Sequence, residues 1–326
     1  MSKRVLYKWL SAVVLMMPLA VGAQETVRLK LAHSSSRTDS QHVAAKHFAD
    51  QVKARSEGTL QIQIFGNSTL GNDTSALQGT RGGTIDLVLV GNPYYTGLMP
   101  VLNVLDLPYI FRDAEHAYRI LDGEMGQGLL RAFREYQLEG LAFWEVGFRS
   151  LANNRKPVKG PNDLKGLKIR TTPNPAHIQA FQLLGANPQP MPLTEVYQAL
   201  ETGALDGHEN PPIIMLATKM QEVQKHLSLT RHAYTAMPLS MNRKKFDSLS
   251  SEHQKILREE AIAAARFQRD YNAKHEREAI QELRDNGMQI IESPDIDALR
   301  AMVVKETRQR FVEQHGDALL KQIEAP

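Results

Sequence analysis

Residues 27–90 read VRLKLAHSSSRTDSQHVAAKHFADQVKARSEGTLQIQIFGNSTLGNDTSALQGTRGGTIDLVLV. Val27-Arg28-Leu29-Lys30-Leu31-Ala32 alternates apolar and basic residues, the period of a strand with one face buried. A polar loop, His33 to Ser40, follows. Gln41 to Ser56 then places Val43, Ala44, His47 or Phe48, and Val52 on one side of a predicted helix, and Gly58 stops it. Leu60 to Phe65 alternates again, Ala76 to Arg81 is a short helix, and Ile85 to Val90 is almost wholly apolar, as a strand covered on both faces should be. The order strand-helix-strand-helix-strand implies an α/β fold built on a mainly parallel sheet flanked by helices.

Working outward, a second unit of the same kind begins near Leu141, with predicted strands over Leu141–Val146 and Leu167–Arg170. Pro175 to Leu184 is a helix with proline in its first turn and Gly185 at its end. Thr194 is the expected cap of a helix over Glu195–Thr202, closed by Gly203. Glu252 to Asn286 holds no proline or glycine. As one helix of roughly 35 residues it would run about 50 Å at 1.5 Å per residue, long enough to brace two lobes. With no internal repeat and no low-complexity linker, the chain is expected to cross between its lobes more than once.

The amino terminus has the build of an export signal. Lys3, Arg4 and Lys8 precede the apolar run Trp9–Val21, and Val21-Gly22-Ala23 is a small-residue cleavage pattern. The run is short for a spanning helix, which needs about 20 apolar residues; the alternative is an uncleaved anchor. The whole chain has 39 Lys and Arg against 36 Asp and Glu, and three of the basic residues fall in 1–23. The 303 residues left are therefore balanced in charge. With no basic block, nucleic acid is not an expected partner. They also exceed the size at which a single core stops growing, so two lobes are expected. No cysteine is present, which leaves neither disulfides nor thiolate chemistry.

Signatures of catalysis are missing. There is no G-x-S-x-G, Walker A or G-x-G-x-x-G pattern, and Gly123-Glu-Met-Gly126-Gln-Gly128 has the wrong spacing. His208-Glu209-Asn210 lacks the second histidine of a zinc-protease motif, and His42 and His47 stand about 140° apart around a helix. No metal, cofactor or enzymatic activity is expected. Three clusters remain. Arg170, with Thr171, Thr172, Pro173 and Asn174, ends an apolar strand before a loop; a guanidinium held there offers a planar fork to a carboxylate, or else a surface salt bridge. Arg149 follows Phe148 near Asn153-Asn154, as a ligand group or as a structural arginine satisfying loop carbonyls. Asn210 closes Asp206-Gly207-His208-Glu209, where it can bond a ligand or cap a turn.

Several of these segments resemble the solute receptors of TRAP transporters, the DctP family. Leu70-Gly71-Asn72-Asp73, Pro108-Tyr109-Ile110-Phe111, Asp163 to Arg170, Gly185-Ala186-Asn187-Pro188, Glu195-Val196-Tyr197 and Asp206 to Pro211 fit that family's pattern across nearly the whole mature chain. The resemblance implies two α/β lobes closing on a ligand by a hinge. It puts the first lobe at 24–146 plus 236–275 and the second at 147–235 plus 276–326. It also implies a periplasmic location and a membrane permease as partner. The carboxylate-binding arginine falls on Arg170, a second pocket arginine on Arg149 and the pocket asparagine on Asn210. His33, Asp73 and the Gly91-Asn92 edge fall where the distal part of the ligand would be touched, and His33, Asp73, Asn92, Thr172 and Asn210 would suit hydroxyls. Thr38 to His42 and Arg81 to Asp86 look closest to receptors for sugar acids, including 2,3-diketogulonate. Arg149 as a second cation keeps C4-dicarboxylates open, and an ABC-type binding protein is a more distant alternative.

Overall fold

The computed structural model describes residues 26–325, so the expected export segment 1–23 lies outside the described residues. The first elements are β1 (Val27–Ala32), α1 (Ser40–Arg55), β2 (Leu60–Phe65), α2 (Asp73–Gly82) and β3 (Leu87–Leu89), in the order expected. β2, β1 and β3 lie side by side and parallel. Asp39 starts α1 by accepting a hydrogen bond from the Gln41 amide, and the helix buries Ala44, Ala45, Phe48 and Val52. Phe48, not His47, faces the core; His47 stacks on Phe267 instead. α2 begins one turn before the expected Ala76, because Asn72 caps it through the Ser75 amide. Two 3-10 turns, Asn92–Tyr94 and Pro100–Asp106, lead to α3 (Ala114–Asp122) and α4 (Glu124–Ala132).

β4 spans Leu138–Asn153, far beyond the strand expected over Leu141–Val146. The second unit follows: β5 (Lys168–Thr171), α5 (Pro175–Leu183), β6 (Asn187–Pro190), α6 (Leu193–Glu201), β7 (Gly207–Asn210) and α7 (Pro212–Ala217). Here β6, β5 and β7 are again parallel. α6 starts at Leu193 with Pro192 in the cap position and no side-chain cap bond, so Thr194 sits inside the helix rather than capping it. The chain then returns through β8 (His226–Asn242), α8 (Arg243–Asp247), α9 (Ser251–Asp285), β9 (Gln289–Ile291), α10 (Ile296–His315) and α11 (Ala318–Glu324).

A two-lobed α/β fold results, but its two parallel units are not separate sheets. β4 and β8 pair antiparallel along almost their whole length, and β8 also joins β3 while β4 joins β7. The continuous order is β2-β1-β3-β8-β4-β7-β5-β6, with β9 beside β8. The β4–β8 ladder shifts register at three places, one of them between Glu145 and Gly147. Gly147 stands at φ +112°, a conformation that a side chain would strain, and a bulge there bends the strands where one unit gives way to the other.

α9 is the predicted bracing helix. Its first half buries Ile256, Leu257, Ala261, Ala264 and Ala265 against the core of Leu29, Phe48 and Trp144. At the bulge its buried face turns polar. Gln268 donates to the Glu145 carbonyl at 2.8 Å and accepts from the Glu145 amide at 3.0 Å, satisfying backbone groups of the bulged segment. Phe311, Leu320 and Ile323 from the last two helices pack with Ala117, Ile120 and Leu121 of α3, so the end of the chain returns to the first unit rather than staying with the second.

Candidate functional site

The carboxyl ends of β1 and β3 face those of β5 and β7, the place where open α/β sheets put ligands. Between them lies a cavity of about 480 Å³ including its mouth. Arg170, Thr172 and Asn210 border it from the second unit, Ser34, Ser35, Asp39, Gln41 and Asp73 from the first, and Arg149 and Thr235 from the long strands.

Arg170 is the third residue of β5 and is only 1% exposed. Its Nε and Nη2 donate to the Met191 carbonyl at 3.0 and 2.8 Å. That neutral acceptor fixes the plane of the guanidinium without cancelling its charge, and three of its five N–H donors remain for another group. Among the described residues no carboxylate pairs with it.

Arg149, in β4, is equally buried at 2% but differently placed. Its Nε contacts Glu209 Oε2, and Nη2 donates to Glu209 Oε1 and the Glu209 carbonyl, both at 2.8 Å. Burial alone would raise the Glu209 carboxyl; the charge of Arg149 and hydrogen bonds from His232 and Arg149 outweigh it and hold the group well below its ordinary range. The pair is therefore ionised and neutral overall. Nη2 also reaches Asn210 Oδ1 at 3.0 Å, and Nη1 reaches Thr235 Oγ1 at 3.4 Å.

With its oxygen turned to Arg149, Asn210 keeps Nδ2 buried and unpartnered. Gln41 on the opposite wall is similar: Oε1 accepts from the Ser35 hydroxyl and Nε2 has no partner. Two amide donors thus border the cavity unspent. Asp73 accepts from Ser34 at 2.8 Å, and burial raises its carboxyl despite that bond and the charge of Arg170. Burial pushes Asp39 up to about 7, and burial with the neighbouring Asp73 pushes the Tyr94 hydroxyl up to about 12. Thr172 bonds His177 Nδ1 at 2.8 Å, a ring that burial drives down to about 3 and so keeps neutral.

Five of the seven residues singled out from the sequence meet at this cavity: Arg170, Arg149, Asn210, Asp73 and Thr172. Two do not border it. The His33 ring is buried against His42, Nε2 to Nδ1 at 3.1 Å, and burial followed by that neighbour's charge lowers it to about 4. The Asn92 amide is spent on the Leu102 carbonyl and on Asp106, at 2.9 and 2.8 Å; its neighbours Gly91, Pro93 and Tyr94 reach the cavity in its place. The sequence reading passed over Ser34, Ser35, Asp39, Gln41 and Glu209 as site residues. The strand-end rule, which makes the loop after a first strand a site wall, would have found the first three.

The profile of bacterial extracellular solute-binding protein family 7, DctP, matches residues 31–314. The chain belongs to this family. It is 43% identical over 298 residues to the 2,3-diketo-L-gulonate-binding periplasmic protein YiaO of Escherichia coli, covering 91% of each chain. Among solved structures it is similar to a TRAP periplasmic solute-binding protein of Polaromonas sp. JS666 bound to D-erythronate. There the TM-score is 0.90 and the identity 33%, with 92% of this chain and 99% of that one covered. A TRAP solute-binding protein of Chromohalobacter salexigens with bound D-glucuronate matches at TM-score 0.87 and 31% identity, over 91% and 99%. This DctP-family chain is thus a solute receptor of the TRAP type.

Proposed function

We propose that this DctP-family receptor captures a sugar acid, a polyhydroxylated monocarboxylate such as a uronate or a diketogulonate, for uptake through a TRAP permease. One observation carries the choice: the cavity has two buried arginines but a single uncompensated positive charge. Glu209 neutralises Arg149, so Arg170 alone is left to take a carboxylate. The remaining lining suits hydroxyls, with serine and threonine oxygens, the unspent amides of Gln41 and Asn210, and raised carboxyls of Asp39 and Asp73 able to accept. A C4-dicarboxylate would need a second free cation. The names of the E. coli, Polaromonas and Chromohalobacter relatives, all sugar-acid binders, support the same reading.

In this reading the carboxylate docks on Arg170 and the lobes close by a hinge in the long strands, with the first lobe at 24–146 plus 236–275 and the second at 147–235 plus 276–310, the end of the chain riding on the first. The closed form docks on the membrane permease, and the chain performs no chemistry on its ligand. It works in the periplasm after cleavage behind Ala23, and amino-terminal sequencing of the exported protein should begin at Gln24. A thermal-shift panel of glucuronate, galacturonate, galactonate, 2,3-diketogulonate, succinate and malate tests the ligand class. A sugar acid at a hundred times its Kd should stabilise the fold by about 2.7 kcal/mol. Stabilisation by a C4-dicarboxylate alone would sink the sugar-acid reading.

A further inference from the structure

Below the cavity lies a buried carboxyl that ligand capture does not use. Asp106 ends the 3-10 turn Pro100–Asp106 and is fully buried. Its Oδ2 accepts two amide hydrogen bonds at 2.8 Å, from Asn92 Nδ2 after β3 and from Asn174 Nδ2 after β5. Asn174 also donates to Asn103 Oδ1 at 3.1 Å. The two asparagines come from opposite units of the fold, and each adjoins a wall of the cavity. Gly91, Pro93 and Tyr94 flank Asn92, and Thr172 stands two residues before Asn174. Asn174 has a second duty, since its Oδ1 caps α5 through the Ala176 and His177 amides at 2.8 and 3.0 Å. One buried amide thereby fixes the start of a helix in the second unit and reaches into the first.

We infer that Asp106 and Asn174 form a latch between the lobes, a positioning pair that holds the receptor closed and sets how long it keeps its ligand. The inference rests on the ligand-closure reading above. The latch sits deep, fully buried, and its bonds form only when the two units meet. Separating the lobes would leave Asp106 with the Asn92 bond alone and take from the Asn174 amide its acceptors Asp106 and Asn103, so the bonds act as a threshold against opening. Burial, offset in part by the Asn92 bond and the charge of Arg149, pushes the Asp106 carboxyl up to about 8. A neutral acceptor therefore suffices at this position, and asparagine should replace it.

The cysteine-free chain allows a direct test. Gln78→Cys on α2 and Glu201→Cys on α6, both exposed, take a pair of distance-reporting labels, one on each unit. In that background Asn174→Ser keeps a helix cap but is too short to reach Asp106, Asp106→Ala removes the acceptor, and Asp106→Asn retains it. Asn174→Ser and Asp106→Ala should each speed release of whichever panel acid the parent binds by roughly tenfold and lengthen the ligand-free distance. The double variant should be no worse than either single change, and Asp106→Asn should behave as the parent. Parent-like release and distances in Asn174→Ser overturn the latch. So does a fall in its ligand-free Tm that accounts for the lost binding, which would make Asn174 a mere helix cap. If the parent closes on no acid in the panel, the ligand reading has failed. The latch is then still decided by the ligand-free distances of the parent and Asn174→Ser: a longer distance in the variant supports it and an equal one overturns it.

Discussion

Arg170 and Arg149 are buried to the same degree and border the same cavity, yet they are held in opposite ways. Arg170 leans on one backbone carbonyl and keeps its charge. Arg149 is gripped by a carboxylate and gives its charge up. Burial and position, the features most easily read as marks of a ligand arginine, do not separate the two. The counter-charge does. A guanidinium oriented by neutral acceptors is poised for an anion from outside, whereas one already paired is part of the wall.

The strongest way to break this contrast is at Arg170. Arg170→Ala should remove ligand-induced thermal stabilisation from a folded protein, a loss of about 3–5 kcal/mol in binding. Arg170→Lys should also bind weakly, since a point charge does not reproduce the fork. Calorimetric titration checks both, and wild-type affinity in either would return the role to another group. Next is Glu209→Gln. It leaves Arg149 buried without its anion and should destabilise the ligand-free protein by about 3 kcal/mol. The freed charge should shift relative affinity from sugar acids toward succinate and malate. A variant that keeps the parent's ligand order would show that Glu209 does not set the charge of the site.

The smallest effect lies in two carboxyls, Glu209 behind Arg149 and Asp39 on the opposite wall. Glu209 is held low, so its stabilising contribution is present above its ordinary range and disappears as pH falls through its folded value. Asp39 is pushed up to about 7 by burial, against hydrogen bonds from Gln41 and Ser40. Its contribution is fully present below about 4 and is lost as pH rises to about 7. Asp39→Asn keeps the cap on α1 and should gain Tm over the parent progressively across that window, with no difference below it. Thermal melts of ligand-free protein at stepped pH check this; a constant offset at every pH would contradict it.

The periodicities between Val27 and Val90 carried the order of the first three strands and two helices, with α2 longer and β3 shorter than expected, because alternating strands and a capped helix depend on local pattern. β4 and β8 were much less legible. Buried on both faces, they show little alternation, and their length depends on a partner far along the chain. At the site, Arg170 was visible from its place at a strand end. What Arg149 does was not, since its partner is fixed by the β4–β7 register that brings Leu151 opposite Glu209. His33 and Asn92 do not border the cavity for a related reason: a residue beside a cavity can turn its side chain away, and only packing decides which neighbour faces in.

The β4–β8 ladder has a consequence for how the chain comes to be folded at all. Leu138 pairs with Asn242 and Asn153 with His226, so the seam joining the two lobes closes only after the entire second unit has been made. Pairings this distant in sequence are slow to find one another. A polypeptide emerging amino terminus first holds β4 without its long partner β8 until residues 226–242 have been made, and neither lobe is a unit that a cut in the gene could release. Late closure of that kind ties the making of the binding cleft to the completion of nearly the whole chain.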